Sequence, residues 1–280
     1  MNKIAIVTDS AACLPESFVN QYDIHVVPFR LIWGHEIFRD GIDMTSGEFY
    51  QRLRENPVLP MTSQPSIGEL LNLYRSLAQT ATGIVSIHLA QNMSGMYHTA
   101  LMAAQMVPEV SIRVLDSGTS AMAQGFVALE AARAAQMGGS LEKVVETAEA
   151  MIARVHLLAL QDRLDYLARS GRVQSVLALV GSALHIVPVF TIRRGEVSVV
   201  GRGRSKPRAM QIMLDQMAAR VRNCPVHAAV FHADVPNEAE ELRQAIVSRF
   251  KCIEVLVTEF TVVMGAHTGP GLLGVAFYTE

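Results

Sequence analysis

Three cysteines in 280 residues leave little room for disulfide or thiolate chemistry. Cys13, Cys224 and Cys252 are too few and too scattered for a disulfide framework or a CxxC metal site, and they fit a reducing, cytoplasmic setting. Charge is scarce as well. Only 18% of residues are charged and the formal net charge is −2, so no electrostatic footprint marks a nucleic acid as partner. No apolar run reads as a membrane span. The longest, residues 176–192, is interrupted by His185 and Pro188 and reads as a buried helix followed by a strand. The N-terminal stretch MNKIAIVTDS lacks the sustained apolar region and cleavage site of a signal peptide.

Catalytic signatures are missing too. Nine histidines form no HExxH and no His/Cys pair at zinc spacing. There is no P-loop, no G-x-S-x-G nucleophile elbow and no kinase signature set. GPGLLG (269–274) matches G-x-G-x-x-G, but that fingerprint needs a helix after it and an acidic residue about twenty positions on. Here a strand-like LLGVAFY runs to the end of the sequence at Glu280. The dinucleotide reading fails, and what remains is His267 in a turn among Gly265, Gly269, Gly271 and Gly274.

What is present is a folded α/β pattern, with 50% of residues apolar. Strands are predicted at 4–8, 24–33, 83–89 and 111–117. Helices fall at 46–55, 66–80, 94–107, 122–137 and 140–155, with Ser46, Ser66 and Ser94 as N-caps and Glu69 completing a capping box. Alternating strands and helices imply parallel βαβ units. The second half mixes strands at 186–192, 196–201, 226–232 and 254–260 with helices at 164–171, 206–223 and 238–250. The expectation is a two-lobe α/β protein: a three-layer parallel-sheet lobe over 1–160 and a smaller mixed-sheet lobe over 161–280.

Hydroxyl-rich turns follow the strands: TDS (8–10), SGM (94–96) across the short link AQNM, and DSGTS (116–120), with MTSQPS (61–66) before a helix start. In an open parallel sheet, ligands sit outside the carboxyl ends of the strands. Each turn alone is ordinary cap chemistry. Together with His267 they look like a polar anchor for a small anion. A second cluster is basic, with Arg172, Arg202, Arg204, Lys206 and Arg208 in SGR and GRGRSKPR. It is either a solvated loop and helix start or a surface that meets phosphate or an acidic partner.

These segments carry a resemblance. With TDSAACLP, TSQPS, NMSGMY, LDSGTSAMAQG, LDYLARSGRV, HIVPVF and AHTGPGLLGVAF spread along the chain, it resembles the DegV family of bacterial fatty-acid-binding proteins, whose members include the FakB subunits of fatty-acid kinase. The resemblance implies a two-lobe fold that binds a long-chain fatty acid such as palmitate or oleate, with no other cofactor and no catalytic residue. Thr62, Ser94 and His267 would hold the carboxylate, with Ser63 and Gly95 in support. Arg172 and Arg204 would face a kinase partner, and membrane contact would be transient at most. Two departures from the family pattern stand out: Ser170-Gly171 replaces the usual glycine pair, and Cys13 replaces the aspartate of S/T-x-D-L-P. The competing reading is a serine hydrolase with Ser94 as nucleophile and His267 as base, oriented by Asp9 or Asp116.

Overall fold

The computed structural model describes residues 3–56, 58–172 and 186–280; the helix expected between 176 and 185 lies outside them. Three sheets organise the described residues. The first is parallel, in the order β2-β1-β6-β7, built from β1 (Ile4–Asp9), β2 (Ile24–Val27), β6 (Gly83–His88) and β7 (Ser111–Asp116). Every residue of β1 and β6 is buried, as expected of strands covered on both faces. Helices α3 (Ile67–Ala78) and α4 (Met96–Gln105) pack together on β6 and β7, while α5 (Ala121–Gln136) and α6 (Leu141–Arg154) pack together on β1 and β6.

The second sheet is mixed. Its order is β10-β9-β8-β13-β11-β12, from β8 (His156–Leu160), β9 (Val187–Arg193), β10 (Glu196–Gly203), β11 (Val226–His232), β12 (Cys252–Glu259) and β13 (Leu273–Thr279). All its neighbours run antiparallel except β11 and β12. Helices α8 (Lys206–Val221) and α9 (Pro236–Arg249) cover it, burying Met213, Met217, Leu242 and Ile246 in a core of its own. Helix α5 is buried nearly all round because it also touches β11 and β13, so it lies between the two large sheets. Arg133 on α5 spans that junction, donating from two nitrogens to Glu254 on β12 at 3.2 Å each.

The third sheet departs from the sequence reading. Residues 24–33 do not form one strand: Pro28 interrupts them, and β2 enters the parallel sheet while β3 (Arg30–Trp33) pairs with β4 (Glu36–Arg39) and β5 (Met61–Ser63). The MTSQPS segment is therefore a strand and a loop, and Thr62 is a ladder residue opposite Leu31. Two short helices, α1 (Glu16–Gln21) and α7 (Asp165–Ser170), join the longer ones. Helix α2 (Ser46–Glu55) is capped by Thr45 instead of Ser46, with Glu48 completing a capping box. The Ser66–Glu69 box on α3 forms as expected.

Candidate functional site

Parallel pairing puts the ends of β1, β6 and β7 on one rim, and the loops that follow them form part of a cavity wall. The cavity has a volume of about 410 Å³ and is enclosed from the other side by β8, β9, α7 and α10 (Val262–Thr268). Its wall is largely apolar. Phe231 and Phe260 stack with ring centres 5.1 Å apart, and both line it, as do Phe190 and Ile192. This lies within the range of small-molecule pockets, which are mostly hydrophobic with a few convergent polar groups.

Thr62, Ser63, Ser94, Gly95, Arg172 and His267 all line this cavity. Thr62 is turned inward because β5 pairs with β3, whose Leu31 is fully buried, while the neighbours Met61 and Ser63 are exposed. His267 sits in the last turn of α10 and not in an open turn. Thr62 Oγ1 and His267 Nε2 are 2.8 Å apart. Burial, helped by the Arg172 guanidinium, pushes the His267 imidazole down to about 4, so it is neutral near pH 7. A protonated His267, which would serve an anion better, therefore needs the anion itself to raise it.

The glycines around His267 make room for aromatic rings. A Cβ on Gly265 would stand 2.7 Å from Tyr50 Oη and 2.8 Å from Phe49 Cε1, and one on Gly269 would run into the Tyr166 ring. Gly269 also has φ +68°, the left-handed region that ends α10. The close packing holds α10 against α2 and α7, and that fixes where His267 points.

Ser94 is not the N-cap of α4. Gly95 takes that position, and Ser94 Oγ accepts from Met96 N at 3.2 Å. Its hydroxyl proton stays available for an acceptor at the start of a ten-residue helix, where the dipole favours negative charge. Arg172 is exposed, donating to Ser170 O at 2.8 Å and standing at the cavity edge. Arg204 lies outside the cavity, exposed in the bend between β10 and α8. Lys206 of the same basic run is tied to Glu238 at 2.9 Å.

The hydrolase geometry does not form. Asp9 is engaged by His88 Nδ1 and Leu89 N, each at 3.0 Å, and Asp116 by Gly118 N at 2.9 Å and Gln91 N at 3.2 Å. Neither orients His267. A Ser–His–Asp order exists elsewhere, since His88 Nε2 is 2.7 Å from Ser86 Oγ, but Ser86, His88 and Asp9 are all fully buried. Tyr74 donates to that Ser86 hydroxyl at 2.7 Å. The set braces β1 against β6, and no substrate reaches it.

Cys13, where the family pattern has aspartate, ends a 3-10 turn (Ser10–Ala12) at φ +51°. It is buried, and burial pushes its thiol up to about 12. Sequence reasoning missed the apolar wall and Gln64. The wall combines strands of the mixed sheet with α7, α10 and the loops after β1, β6 and β7, segments far apart in the chain that leave no local signal, whereas Gln64 stood inside the TSQPS motif.

The geometry is that of an α/β protein with a largely apolar cavity whose wall carries hydroxyls and an imidazole. The chain belongs to the DegV family: the family model described as "Uncharacterised protein, DegV family" matches residues 3–280. It is 37% identical over 275 residues to a DegV domain-containing protein from Streptomyces coelicolor, covering 97% of both. Among solved structures it is similar to one described as fatty acid binding of a DegV family protein from Thermus thermophilus (TM-score 0.94, 30% identity, 99% of this chain and 100% of that one). It is also similar to DegV, a fatty acid binding protein from Bacillus subtilis (TM-score 0.92, 31% identity, 100% of both chains).

Proposed function

We propose that this protein binds one long-chain fatty acid, with the acyl chain in the apolar cavity and the carboxylate held by Thr62, Ser94 and His267. The observation that carries the reading is the bonded Thr62–His267 pair on the wall of that cavity. Burying about fourteen methylenes of a C16 acid at about 0.8 kcal/mol each gives on the order of 11 kcal/mol before ordering costs. A buried carboxylate without hydrogen bonds would forfeit several kcal/mol of that. Two hydroxyls, an imidazole and the start of α4 meet the need, with Ser63 and Gly95 shaping the backbone around them. The fatty acid binding described for the similar Thermus thermophilus and Bacillus subtilis proteins supports the same ligand class.

The protein acts in this reading as a cytoplasmic binding protein and not as an enzyme. The N-terminal lobe, taken as residues 1–160 although β8 at its end joins the mixed sheet, supplies Thr62 and Ser94, and the lobe of residues 161–280 supplies His267. Arg172 and Arg204 would face a fatty-acid kinase, to which the head group is presented for lipid metabolism. Arg172 at the cavity edge can serve the head group and the partner together. Titrating the protein with palmitate and with hexadecanol tests the reading: the acid should bind far more tightly, and equal affinities would remove the carboxylate from the account.

A further inference from the structure

We propose that Gln64 is a positioning residue, whose amide sits on Gly95 and fixes the spacing between Thr62 and Ser94. This rests on the fatty-acid reading above. Thr62 belongs to the three-stranded sheet, whereas Ser94 follows β6 of the parallel sheet, and among the described residues no ladder joins the two. Gln64 connects them. Its Nε2 donates to Thr99 Oγ1 at 2.6 Å, and the Thr99 hydroxyl donates in turn to Gly95 O at 3.2 Å. The Thr99 hydroxyl thus accepts from Gln64 and spends its single proton on Gly95 O.

The second contact is steric. A Cβ on Gly95 would lie 2.7 Å from Gln64 Oε1, 3.2 Å from Nε2 and 3.3 Å from Cδ, so the flat amide lies directly over the Gly95 backbone. Gly95 has φ −72°, an ordinary value for any residue. The missing side chain answers to Gln64 and not to chain conformation. Gln64 is itself held on both sides: Thr62 and Ser63 are in the β5 ladder, and Pro65, buried and fixed in φ, leads into the Ser66 cap of α3. The result is a rigid bridge from the Thr62 strand to the turn that carries Ser94.

The test is a set of palmitate dissociation constants. Thr62→Val and Ser94→Ala are combined in a double-mutant cycle, once in the wild-type background and once in Gln64→Ala. Gln64→Ala alone should weaken binding several-fold, and the Thr62–Ser94 coupling should vanish in its background. Gly95→Ala should weaken binding about 10-fold, and adding Gln64→Ala should recover much of that loss, because the space for the methyl is then free. Unchanged coupling in the Gln64→Ala background, or additive losses for Gln64→Ala and Gly95→Ala, would overturn the proposal. If Thr62→Val and Ser94→Ala each bind palmitate as wild type does, the carboxylate assignment itself is wrong, and the proposal falls with it.

Discussion

Thr62 Oγ1 and His267 Nε2 lie 2.8 Å apart although 205 residues separate them in the chain. One belongs to a three-residue strand and the other to the last turn of a seven-residue helix. In the proposed function, their meeting on an apolar wall gives a hydroxyl and an imidazole one shared target, the ligand carboxylate. Removing a donor to a charged group costs about 1.5–3 kcal/mol, roughly 10- to 150-fold in affinity. His267→Ala should weaken palmitate binding by that order, and Thr62→Val and Ser94→Ala should each weaken it less. A calorimetric cycle between His267 and Thr62 should show coupling, and additive losses would mean that the pair does not act on one ligand group.

The depressed histidines set a pH dependence. His267 is pushed to about 4, and so is His156, by burial and then by Arg220 and Arg193. Both are neutral in the folded protein at a pH where the unfolded chain binds a proton. The unfolded state therefore holds more protons between about pH 6.5 and 4, and stability falls as pH drops through that window. Each histidine should cost about 1–2 kcal/mol between pH 7 and pH 5. Urea midpoints of the ligand-free protein should fall accordingly, and His156→Gln should flatten the profile. A flat wild-type profile would contradict the assignment.

The glycines near His267 separate packing from backbone strain. Gly265→Ala adds a methyl against Tyr50 and Phe49 and should destabilise by about 1–3 kcal/mol. Because it displaces α10, it should also weaken palmitate binding. Gly41→Ala is the comparison, since Gly41 has φ +71° with nothing within 4 Å of an added Cβ. That change should lower the melting temperature slightly and leave affinity unchanged. Equal effects of the two on binding would show that α10 does not need its close seat.

These cases also show what the sequence could and could not convey. β1 and β6 were legible as apolar runs and β7 as an alternating one, each followed by a hydroxyl turn, and the rim they form follows from parallel topology. The division of residues 24–33 was not, because both halves carry the same apolar pattern and only tertiary pairing sends β2 and β3 to different sheets. β8 was missed because it follows α6 with one residue between them, so no turn signal separates the two. Thr62, Ser94 and His267 could be picked out by their motifs, and all three line the same cavity. Gly265 and Gly269 suggested an open turn, whereas Phe49, Tyr50 and Tyr166, distant in sequence, explain them as helix packing.

The two arginines should differ. Arg172 borders the cavity and acts on His267, whereas Arg204 stands outside it. Arg172→Gln should raise the His267 pKa, read by NMR titration, and weaken palmitate binding several-fold. Arg204→Gln should change neither. Both variants should lose phosphorylation of the bound acid by a cognate kinase if these side chains meet that partner. Full phosphorylation in the double variant would make the basic cluster a solvated surface.

The most direct measurement is mass spectrometry of an organic extract from protein purified under native conditions. One long-chain saturated or monounsaturated fatty acid should be recovered, near one per chain, and delipidated protein should take up palmitate or oleate to the same stoichiometry. Finding no lipid, together with no uptake of either acid, would contradict the account.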